Sequence, residues 1–383
     1  MEEDYIAFSI SVLTLFLLTL YVSEAEGQRQ PLVSALYVFG DSTIDPGNNN
    51  FLETIVKSDF PPYGRDFPYG QPTGRFTNGR LITDQLYLLP ASLDPEFQGQ
   101  KLMTGASFGS SASGYVDSTS TPLNVLPLER QVKNFKHYKV RLAEEFGYET
   151  TNRTIAQALF AISGGTNDFA NNYFTSPLTR KKYTVEQFQD LLLESLTVFI
   201  QVKVFSYMTT VSFHIFKILR CINLVLCDQN VYSEGATTVA IVGLPPFGCL
   251  PSQITLHNIV ENTCVEEFNE VASSFNAKIK ALVEKMRPNF PRALIAYLDI
   301  YDKLLDIIKS PTKYGFEEPR KGCCGTGLLE AAISCNPSTI SCLNPSKYVF
   351  WDSFHPTTEC YQIIANDLFQ QYLAFFNSSM PRS

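Results

Sequence analysis

Short apolar runs alternate with stretches of helical periodicity along most of this chain. Around residue 270, apolar residues recur at Phe268, Val271 and Phe275, which is the spacing of one helix face. The strand candidates are Val33–Phe39, Ala158–Ser163, Thr237–Gly243 and Ala293–Leu298, and the helix candidates are Val185–Gln201, Cys264–Met286 and Thr357–Phe376. This alternation predicts an α/β fold, in which parallel strands are covered by helices on both faces.

The composition is that of an ordinary globular protein, with 383 residues of which 45% are hydrophobic and 18% are charged. This length allows one large domain or two smaller ones, and we predict a single domain over residues 30–378. The formal net charge of -8 argues against a nucleic-acid partner, which requires a basic face. It fits an enzyme that acts on neutral or hydrophobic substrates.

The N-terminus has the pattern of a secretory signal peptide. Ile6–Val22 is nearly all apolar or hydroxylated, and Ser23-Glu24-Ala25 supplies small residues at a cleavage site. The acidic start at Glu2 is atypical, since signal peptides begin with positive charge. A membrane anchor is the alternative, but a run of 17 residues is at the short limit for a span. We predict a signal peptide over residues 1–25, a secreted, extracellular protein and no stable membrane span.

Nine cysteines fit an oxidising compartment. Four of them lie in a Gly/Pro/Ser-rich stretch, where disulfides would hold a loop together and where three pairings are possible: Cys323, Cys324, Cys335 and Cys342. Zinc is the alternative, but adjacent cysteines without histidine spacing make a poor tetrahedral site, so we expect no metal. Cys249 and Cys264 can pair, and Cys360 is predicted to be a free thiol. Asn152 and Asn377 match the N-glycosylation pattern.

A strand-like run ends in a Gly-Asp-Ser turn at Gly40, which places Ser42 at the carboxyl edge of the predicted sheet. A serine nucleophile needs a positioned base. Of the four histidines, only His355 has an acid at a short offset, Asp352, and a proline that stiffens its loop. Asp352 would orient one ring nitrogen while the other faces Ser42. Taken alone, an Asp-x-x-His pair is more often a helix cap or a surface loop.

The three remaining histidines have weaker cases. His137 lies in a Lys-rich helical stretch, His214 lies in an atypical segment, and His257 lies in a predicted loop with no nearby acid. The oxyanion of an acyl-transfer reaction also needs hydrogen-bond donors. Asn167 follows the strand candidate Ala158–Ser163, so its amide would project from the sheet edge near Ser42. A lone asparagine after a strand is otherwise ordinary turn chemistry.

A second serine, Ser107, matches the G-x-S-x-G nucleophile elbow within Gly105-Ala106-Ser107-Phe108-Gly109. An elbow needs a strong strand before it and a helix after it. Neither flank has those patterns, so we interpret this segment as a flexible loop and the match as accidental.

Together these pieces resemble the GDSL esterase/lipase family, also called SGNH hydrolases, and specifically its plant branch. The resemblance runs from about Ala35 to Phe375. Its motifs are Phe39-Gly40-Asp41-Ser42-Thr43, Asp45-Pro46-Gly47-Asn48-Asn49-Asn50, Pro62-Tyr63-Gly64, Gly74 to Arg80, Gly165-Thr166-Asn167-Asp168-Phe169, Gly243 to Cys249, Cys323-Cys324-Gly325 and Phe350 to Pro356.

The resemblance implies a flavodoxin-like, three-layer α/β/α sandwich with a five-stranded parallel core sheet. It implies Ser42 as nucleophile and oxyanion donor, Asn167 as a second donor, and His355 with Asp352 as the base pair. The implied activity is hydrolysis of small-molecule or lipid carboxylic esters through an acyl-enzyme. No cofactor and no metal are expected, and the sequence gives no indication of an oligomeric state.

Three departures from the family pattern concern short segments. Thr43 replaces the leucine of the family name, which we expect to be minor. Our alignment places Ala112 at the family's oxyanion glycine, with Ser111 as the alternative. Alanine still offers a backbone N–H, but a positive φ would strain it. Asp84 to Leu89 is about ten residues shorter than the family pattern, at a place where a helix is expected.

The fourth departure is an apolar insertion at residues 202–229, which suits no element of the fold. We interpret it as a retained intron or a gene-model error, because Val202-Lys203 and Asp228-Gln229 are what splice-site codons can encode. Sequencing the transcript tests this hypothesis, and a dominant message that keeps these codons would refute it. If it is genuine, it would expose apolar surface.

Two other functions stay open at the level of sequence. An acyltransferase would use the same acyl-enzyme with a substrate hydroxyl in place of water. A catalytically impaired accessory or binding protein would follow if the insertion and the altered oxyanion loop disable the site.

Overall fold

The computed structural model describes residues 33–201, 237–291 and 293–379. The predicted signal peptide at 1–25, the insertion at 202–229 and His214 therefore lie outside the described residues. The domain limits of 30 and 378 remain a prediction.

A five-stranded sheet, parallel throughout, forms the centre of the fold. Its strands in chain order are β1 (Leu36–Gly40), β2 (Gly105–Ser107), β3 (Leu159–Ser163), β4 (Thr237–Val242) and β5 (Ala293–Leu298). They lie side by side in the order β2-β1-β3-β4-β5. This is the flavodoxin-like order, and it confirms the predicted fold class.

The predicted strands are present with ends that differ by up to three residues, but β2 was not foreseen. The interpretation of residues 105–109 as a flexible loop is wrong, because Gly105 and Ser107 pair with Leu36 and Val38. Three residues are too few to show a strand pattern. Gly105 has φ +96, and a Cβ there would lie 2.0 Å from the Leu36 carbonyl oxygen, so glycine permits the close pairing.

The described residues form the helices α1 (Asp117–Ser120), α2 (Leu128–Phe146), α3 (Tyr148–Ala156), α4 (Pro177–Lys182), α5 (Val185–Val198), α6 (Pro251–His257), α7 (Glu266–Met286), α8 (Tyr301–Lys309) and α9 (Thr358–Ser379). The three predicted helices correspond to α5, α7 and α9. Helix α5 begins at a capping box, in which Thr184 and Gln187 each accept a hydrogen bond from the other's backbone N–H. His257 ends α6 and does not lie in a loop, because the helical turn continues from Pro251.

Strand β1 is buried on both of its faces. Every residue of β1 is buried, and successive side chains of a strand point to opposite faces. On one of these faces, Tyr37 packs against Phe135 and Tyr138 of α2 and against Phe160 of β3, with ring centroids 5.0–5.4 Å apart. This aromatic contact fixes α2 against the sheet.

A second, smaller sheet carries the C-terminal part of the site. Strands β6 (Glu318–Gly322) and β7 (Tyr348–Phe350) are parallel. The segment between them is closed by two disulfides, Cys323–Cys342 and Cys324–Cys335, which select one of the three possible pairings. The predicted Cys249–Cys264 disulfide is also present, and Cys360 is a buried free thiol as predicted.

Within the described ranges, no helix is both long and apolar enough to cross a membrane. The same residues contain no cluster of His, Cys, Asp and Glu side chains suited to a metal ion.

The shortened segment after Asp84 contains a 3-10 turn, Thr83–Gln85, and a buried ion pair. Nε and Nη2 of Arg75 donate to the two Asp84 oxygens at 2.7 and 2.9 Å. Arg75 also donates to the carbonyls of Pro46 and Leu89, so its charge is well partnered. The pair anchors this segment to the residues that precede it.

Asp84→Asn is expected to lower the free energy of unfolding by about 3–5 kcal/mol, because it leaves the Arg75 guanidinium buried without a counter-charge. Chemical denaturation measures the loss. Asp306→Asn is the matched control, since Asp306 pairs with Lys313 at the surface, where an ion pair adds little. Equal effects of the two substitutions would contradict the prediction.

Candidate active site

Ser42 lies just beyond β1, at the carboxyl edge of the sheet and beside the end of β3. The Asp41 N–H donates to the Ser163 carbonyl at 3.1 Å, which continues the pairing of the two strands. Gly40 has φ +141, and a Cβ there would lie 1.6 Å from that same carbonyl oxygen. From β1 the chain continues to β2 on one side of the sheet and then crosses to β3 on the other side of β1. Open α/β sheets bind ligands at such a point, where the strand order reverses.

Gln131 of α2 holds the Gly40 backbone from both sides. Its Oε1 accepts from the Gly40 N–H at 2.9 Å, and its Nε2 donates to the Gly40 carbonyl at 2.9 Å. Ser113 Oγ donates to the same carbonyl at 2.7 Å. Gln131 is fully buried, and the sequence analysis missed it. The only signal was a polar residue on the apolar face of a helix.

Ser42, His355 and Asp352 form one hydrogen-bonded chain. His355 Nε2 lies 2.8 Å from Ser42 Oγ, and His355 Nδ1 lies 2.8 Å from each Asp352 oxygen. Asp352 is fully buried, and Ser42 and His355 are 6% and 8% exposed and both line the cleft, so the hydrogen-bonded chain is open to the cleft at the serine and the histidine and closed at the acid. The structure thus brings together the three residues that the sequence singled out.

Asp352 stabilises the loop that follows β7 by accepting hydrogen bonds from its backbone. The Trp351 N–H donates to the His355 carbonyl at 2.7 Å, which closes the loop. Asp352 Oδ1 accepts from the backbone N–H groups of Phe354 and His355 at 2.8 and 2.7 Å. The acid therefore orders both the backbone and the ring of His355.

Asn167 follows β3 and lines the same cleft as Ser42. Its Nδ2 donates to the Ser113 carbonyl at 2.9 Å, and its Oδ1 accepts from Asn171 at 2.7 Å. These two bonds orient the amide and occupy one of its two N–H groups. The second N–H can serve a ligand.

Ala112 also lines the cleft, and its φ is +66. The strain that a positive φ would impose on alanine is therefore present. Among the described residues, the backbone N–H groups of Ala112 and Ser42 have no acceptor. Ser111 does not offer such a group, because its N–H donates to Asp45 Oδ2 at 2.9 Å.

The loop that carries Ala112 is held by the acidic and amide side chains of the Asp45–Asn50 motif. Asp45 accepts from the Ser111 N–H and hydroxyl, both at 2.9 Å. Asn48 donates to the Ser107 and Gly109 carbonyls at 2.9 and 2.8 Å. The sequence alone indicated no role for this motif, since no periodicity shows that a turn will contact residues about 60 positions later.

Ser107 is buried within this support. It is fully enclosed, and its Oγ donates to the Ile44 carbonyl at 2.6 Å and accepts from the Gly109 N–H at 3.2 Å. Its hydroxyl therefore has a structural partner and no access to the cleft. The interpretation of the G-x-S-x-G match as accidental fits this position, although the segment is a strand.

Two more buried acids lie next to the site. Asp41 accepts from the N–H and Oγ1 of Thr43, whose hydroxyl also contacts Ser163 Oγ at 2.9 Å, so Thr43 has a local role that leucine could not fill. Burial raises the pKa of Asp41.

Burial also raises the pKa of Asp168 to about 7, although the hydrogen bonds that Asp168 accepts from Thr119 Oγ1 and the Tyr115 N–H act to lower it. Asp168 thereby ties residues 115–119 to the start of the helical segment Asp168–Tyr173, which Asn167 caps.

The cleft has a volume of about 520 Å³ and both apolar and polar walls. Its apolar walls include Phe76, Leu123 and Phe354, and its polar walls include Asn171 and Asn172. The other described histidines do not line it: His137 is exposed on α2, and His257 packs against Phe268.

Ala112→Gly is expected to raise the free energy of unfolding by about 0.5–1 kcal/mol. A left-handed alanine costs about 1–2 kcal/mol, and the greater freedom of glycine in the unfolded chain takes back part of that gain. Ala143→Gly in α2 is the control and should destabilise by about 1 kcal/mol, because its backbone is helical. Urea denaturation of both variants tests this, and a loss of stability in Ala112→Gly would contradict it.

Comparison with known proteins shows the family to which this chain belongs. A family model for GDSL-like lipases and acylhydrolases matches residues 36–368. GDSL esterase/lipase At5g45960 of Arabidopsis thaliana is 39% identical over 351 residues, which cover 88% of this chain and 86% of the relative. GDSL esterase/lipase APG of the same plant is 38% identical over 349 residues, which cover 89% and 91%. The chain therefore belongs to the plant GDSL esterase/lipase family and is a carboxylic ester hydrolase.

Proposed function

We propose that this protein is an extracellular serine ester hydrolase that works through an acyl-enzyme, with Ser42 as nucleophile and His355 with Asp352 as its base pair. The observation that carries the proposal is the contact chain Ser42–His355–Asp352, in which each link measures 2.8 Å. These are hydrogen-bond distances between a nucleophile, a base and the group that orients the base.

The proton path follows from this chain. The Nδ1–H of His355 stays on the ring and donates a hydrogen bond to Asp352, so Nε2 carries the lone pair that accepts the Ser42 proton as Oγ attacks the ester carbon. The imidazolium then protonates the departing alcohol oxygen, which leaves an acyl group on Ser42. A water molecule deprotonated by His355 releases the acid and restores the serine.

Three donors are available for the oxyanion formed in each step. They are the backbone N–H groups of Ser42 and Ala112 and the second amide N–H of Asn167. All three residues line the cleft, and none of these N–H groups has an acceptor among the described residues. Donors fixed before the reaction stabilise developing charge without reorganisation, which is the largest contribution in many enzymes of this kind.

The substrate class we propose is small-molecule or lipid esters. The cleft is large enough for a short or medium acyl chain, and its apolar walls give that chain a place to bind. Every step uses protein groups and water.

Ser42→Ala is expected to lower kcat/KM for p-nitrophenyl esters by at least about 1000-fold, since the nucleophile is lost. Ser107→Ala is the control and should retain most activity, because its hydroxyl points to the Ile44 carbonyl and not to the cleft. Circular dichroism confirms that both variants are folded. Loss of activity in Ser107→Ala alone would refute the assignment, and wild-type activity no higher than that of Ser42→Ala would favour an accessory role.

Product analysis with an added alcohol distinguishes hydrolysis from acyl transfer.

The extracellular location rests on three disulfides, on the exposed Asn377 near the end of α9 and on the signal-peptide pattern at 1–25. Disulfides persist in oxidising compartments. We expect the full chain expressed in plant cells to be recovered from the medium without its leader and to lose mass on treatment with a peptide N-glycosidase. Retention of the uncleaved chain inside the cells would contradict this location.

A further inference from the structure

The Asp352 carboxylate has a partner from a distant part of the chain. The Tyr63 hydroxyl donates to Asp352 Oδ2 at 2.7 Å, although the two residues are 289 positions apart. Both side chains are almost completely buried. The two backbone donors of Asp352, Phe354 and His355, both bind Oδ1 and belong to its own loop. Tyr63 therefore supplies a contact that fixes the acid relative to another part of the fold.

The direction of this hydrogen bond is set by a second contact. The Ala332 N–H donates to the Tyr63 oxygen at 2.9 Å, and a backbone N–H has no other role than donor. The single phenol proton therefore points to Asp352. Burial and the Asp352 charge raise the pKa of Tyr63 well above its usual value, so the hydroxyl stays protonated in any ordinary assay.

Aromatic packing holds the Tyr63 ring in place and links it to His355. The ring lies 6.0 Å from Phe60, 5.4 Å from Phe76 and 6.4 Å from Trp351, measured between centroids. Phe76 in turn lies 4.9 Å from the His355 imidazole. The same aromatic cluster therefore borders both the base and the tyrosine that contacts its acid.

The donor to Tyr63 belongs to a disulfide-closed loop on the cleft wall. Ala332 lies between Cys324 and Cys335, and Ala331 and Ala332 line the cleft. Both cysteines are packed in one buried cluster with Tyr63, Phe76 and Trp351. The loop, the tyrosine and the acid thus form one connected support.

We propose that Tyr63 is a positioning residue: it holds Asp352 so that the carboxylate orients His355 toward Ser42, and it connects that carboxylate to the disulfide-closed loop. The proposal rests on the catalytic roles given under Proposed function. Tyr63 acts only through Asp352, because it does not line the cleft. Its loss should therefore affect the chemical step more than substrate binding.

Tyr63→Phe tests this proposal. We expect kcat for a p-nitrophenyl ester to fall about 10-fold, the effect of losing a hydrogen bond to a charged group, while KM stays within about twofold. The acid limb of the pH profile of kcat/KM should move to higher pH, because a carboxylate with one fewer donor attracts a protonated imidazole more strongly. Tyr37→Phe is the matched control: it removes a buried hydroxyl whose hydrogen-bond partner among the described residues is Tyr138 and not a residue of the site, so kcat, KM and the acid limb should stay unchanged.

A shape-preserving variant covers the case in which Tyr63→Phe fails to fold. Replacement of Tyr63 by 3-fluorotyrosine through nonsense suppression keeps the hydroxyl but makes it a stronger donor. The acid limb should then move to lower pH, opposite to the shift in Tyr63→Phe.

The outcomes separate this proposal from the function on which it depends. Suppose that the wild type is active and Ser42→Ala is inactive, but that neither Tyr63→Phe nor 3-fluorotyrosine at position 63 alters kcat or the pH profile. This result would overturn the positioning role alone. An equal loss in Tyr37→Phe would also overturn it, since the effect would then be one of general core stability. A wild type no more active than Ser42→Ala would refute the proposed function itself.

Discussion

The close approach of the Gly40 backbone to the Ser163 carbonyl is the constraint on which the site depends. A side chain at Gly40 would collide with that carbonyl at 1.6 Å, so only glycine lets the chain turn here while β1 and β3 remain paired. Ser42 then leaves the sheet at the point where β2 and β3 lie on opposite sides of β1. The turn is rigid because Gln131 binds both backbone polar groups of Gly40.

Buried carboxylates organise the loops around this turn. Asp45 binds the loop that carries Ala112, Asp168 binds residues 115–119, and Asp352 binds the loop that carries His355. A buried carboxylate destabilises the fold unless it accepts several hydrogen bonds. Loops can supply the N–H donors, because the N–H groups inside helices and sheets are already bonded to backbone carbonyls. Each acid therefore stabilises a specific loop conformation, which explains how a site built largely of loops keeps fixed geometry.

Sequence reasoning recovered what local patterns encode. The long apolar runs located β1, β3, β4 and β5, because buried parallel strands are continuously hydrophobic. Ser42 and His355 were found because each lies in a short motif with its own chemistry. Strand β2 was missed because three residues carry no periodicity, and their pairing with β1 is decided by the fold.

The supports of the site were missed for a related reason. Gln131 and Tyr63 act on residues 91 and 289 positions away, and no feature of their local sequence indicates those contacts. The positive φ of Ala112 is likewise a property of the folded loop, since alanine has no local preference for it. The sequence therefore predicted which side chains meet at the site but not the contacts that hold them in position.

The two halves of the site come from two different sheets. Ser42, Ala112 and Asn167 are held by the large sheet and its loops, whereas Asp352 and His355 follow β7 of the small, disulfide-bonded sheet. A 2.8 Å contact between Ser42 and His355 requires the two sheets to be positioned relative to each other to within a fraction of an ångström. Tyr63 and Phe76 connect the two sheets, because both come from the segment that follows β1 and both pack in one buried cluster with Cys323, Cys324 and Trp351. The Cys323–Cys342 and Cys324–Cys335 disulfides belong to the same cluster, so they stabilise the surface against which Tyr63 and Phe76 pack.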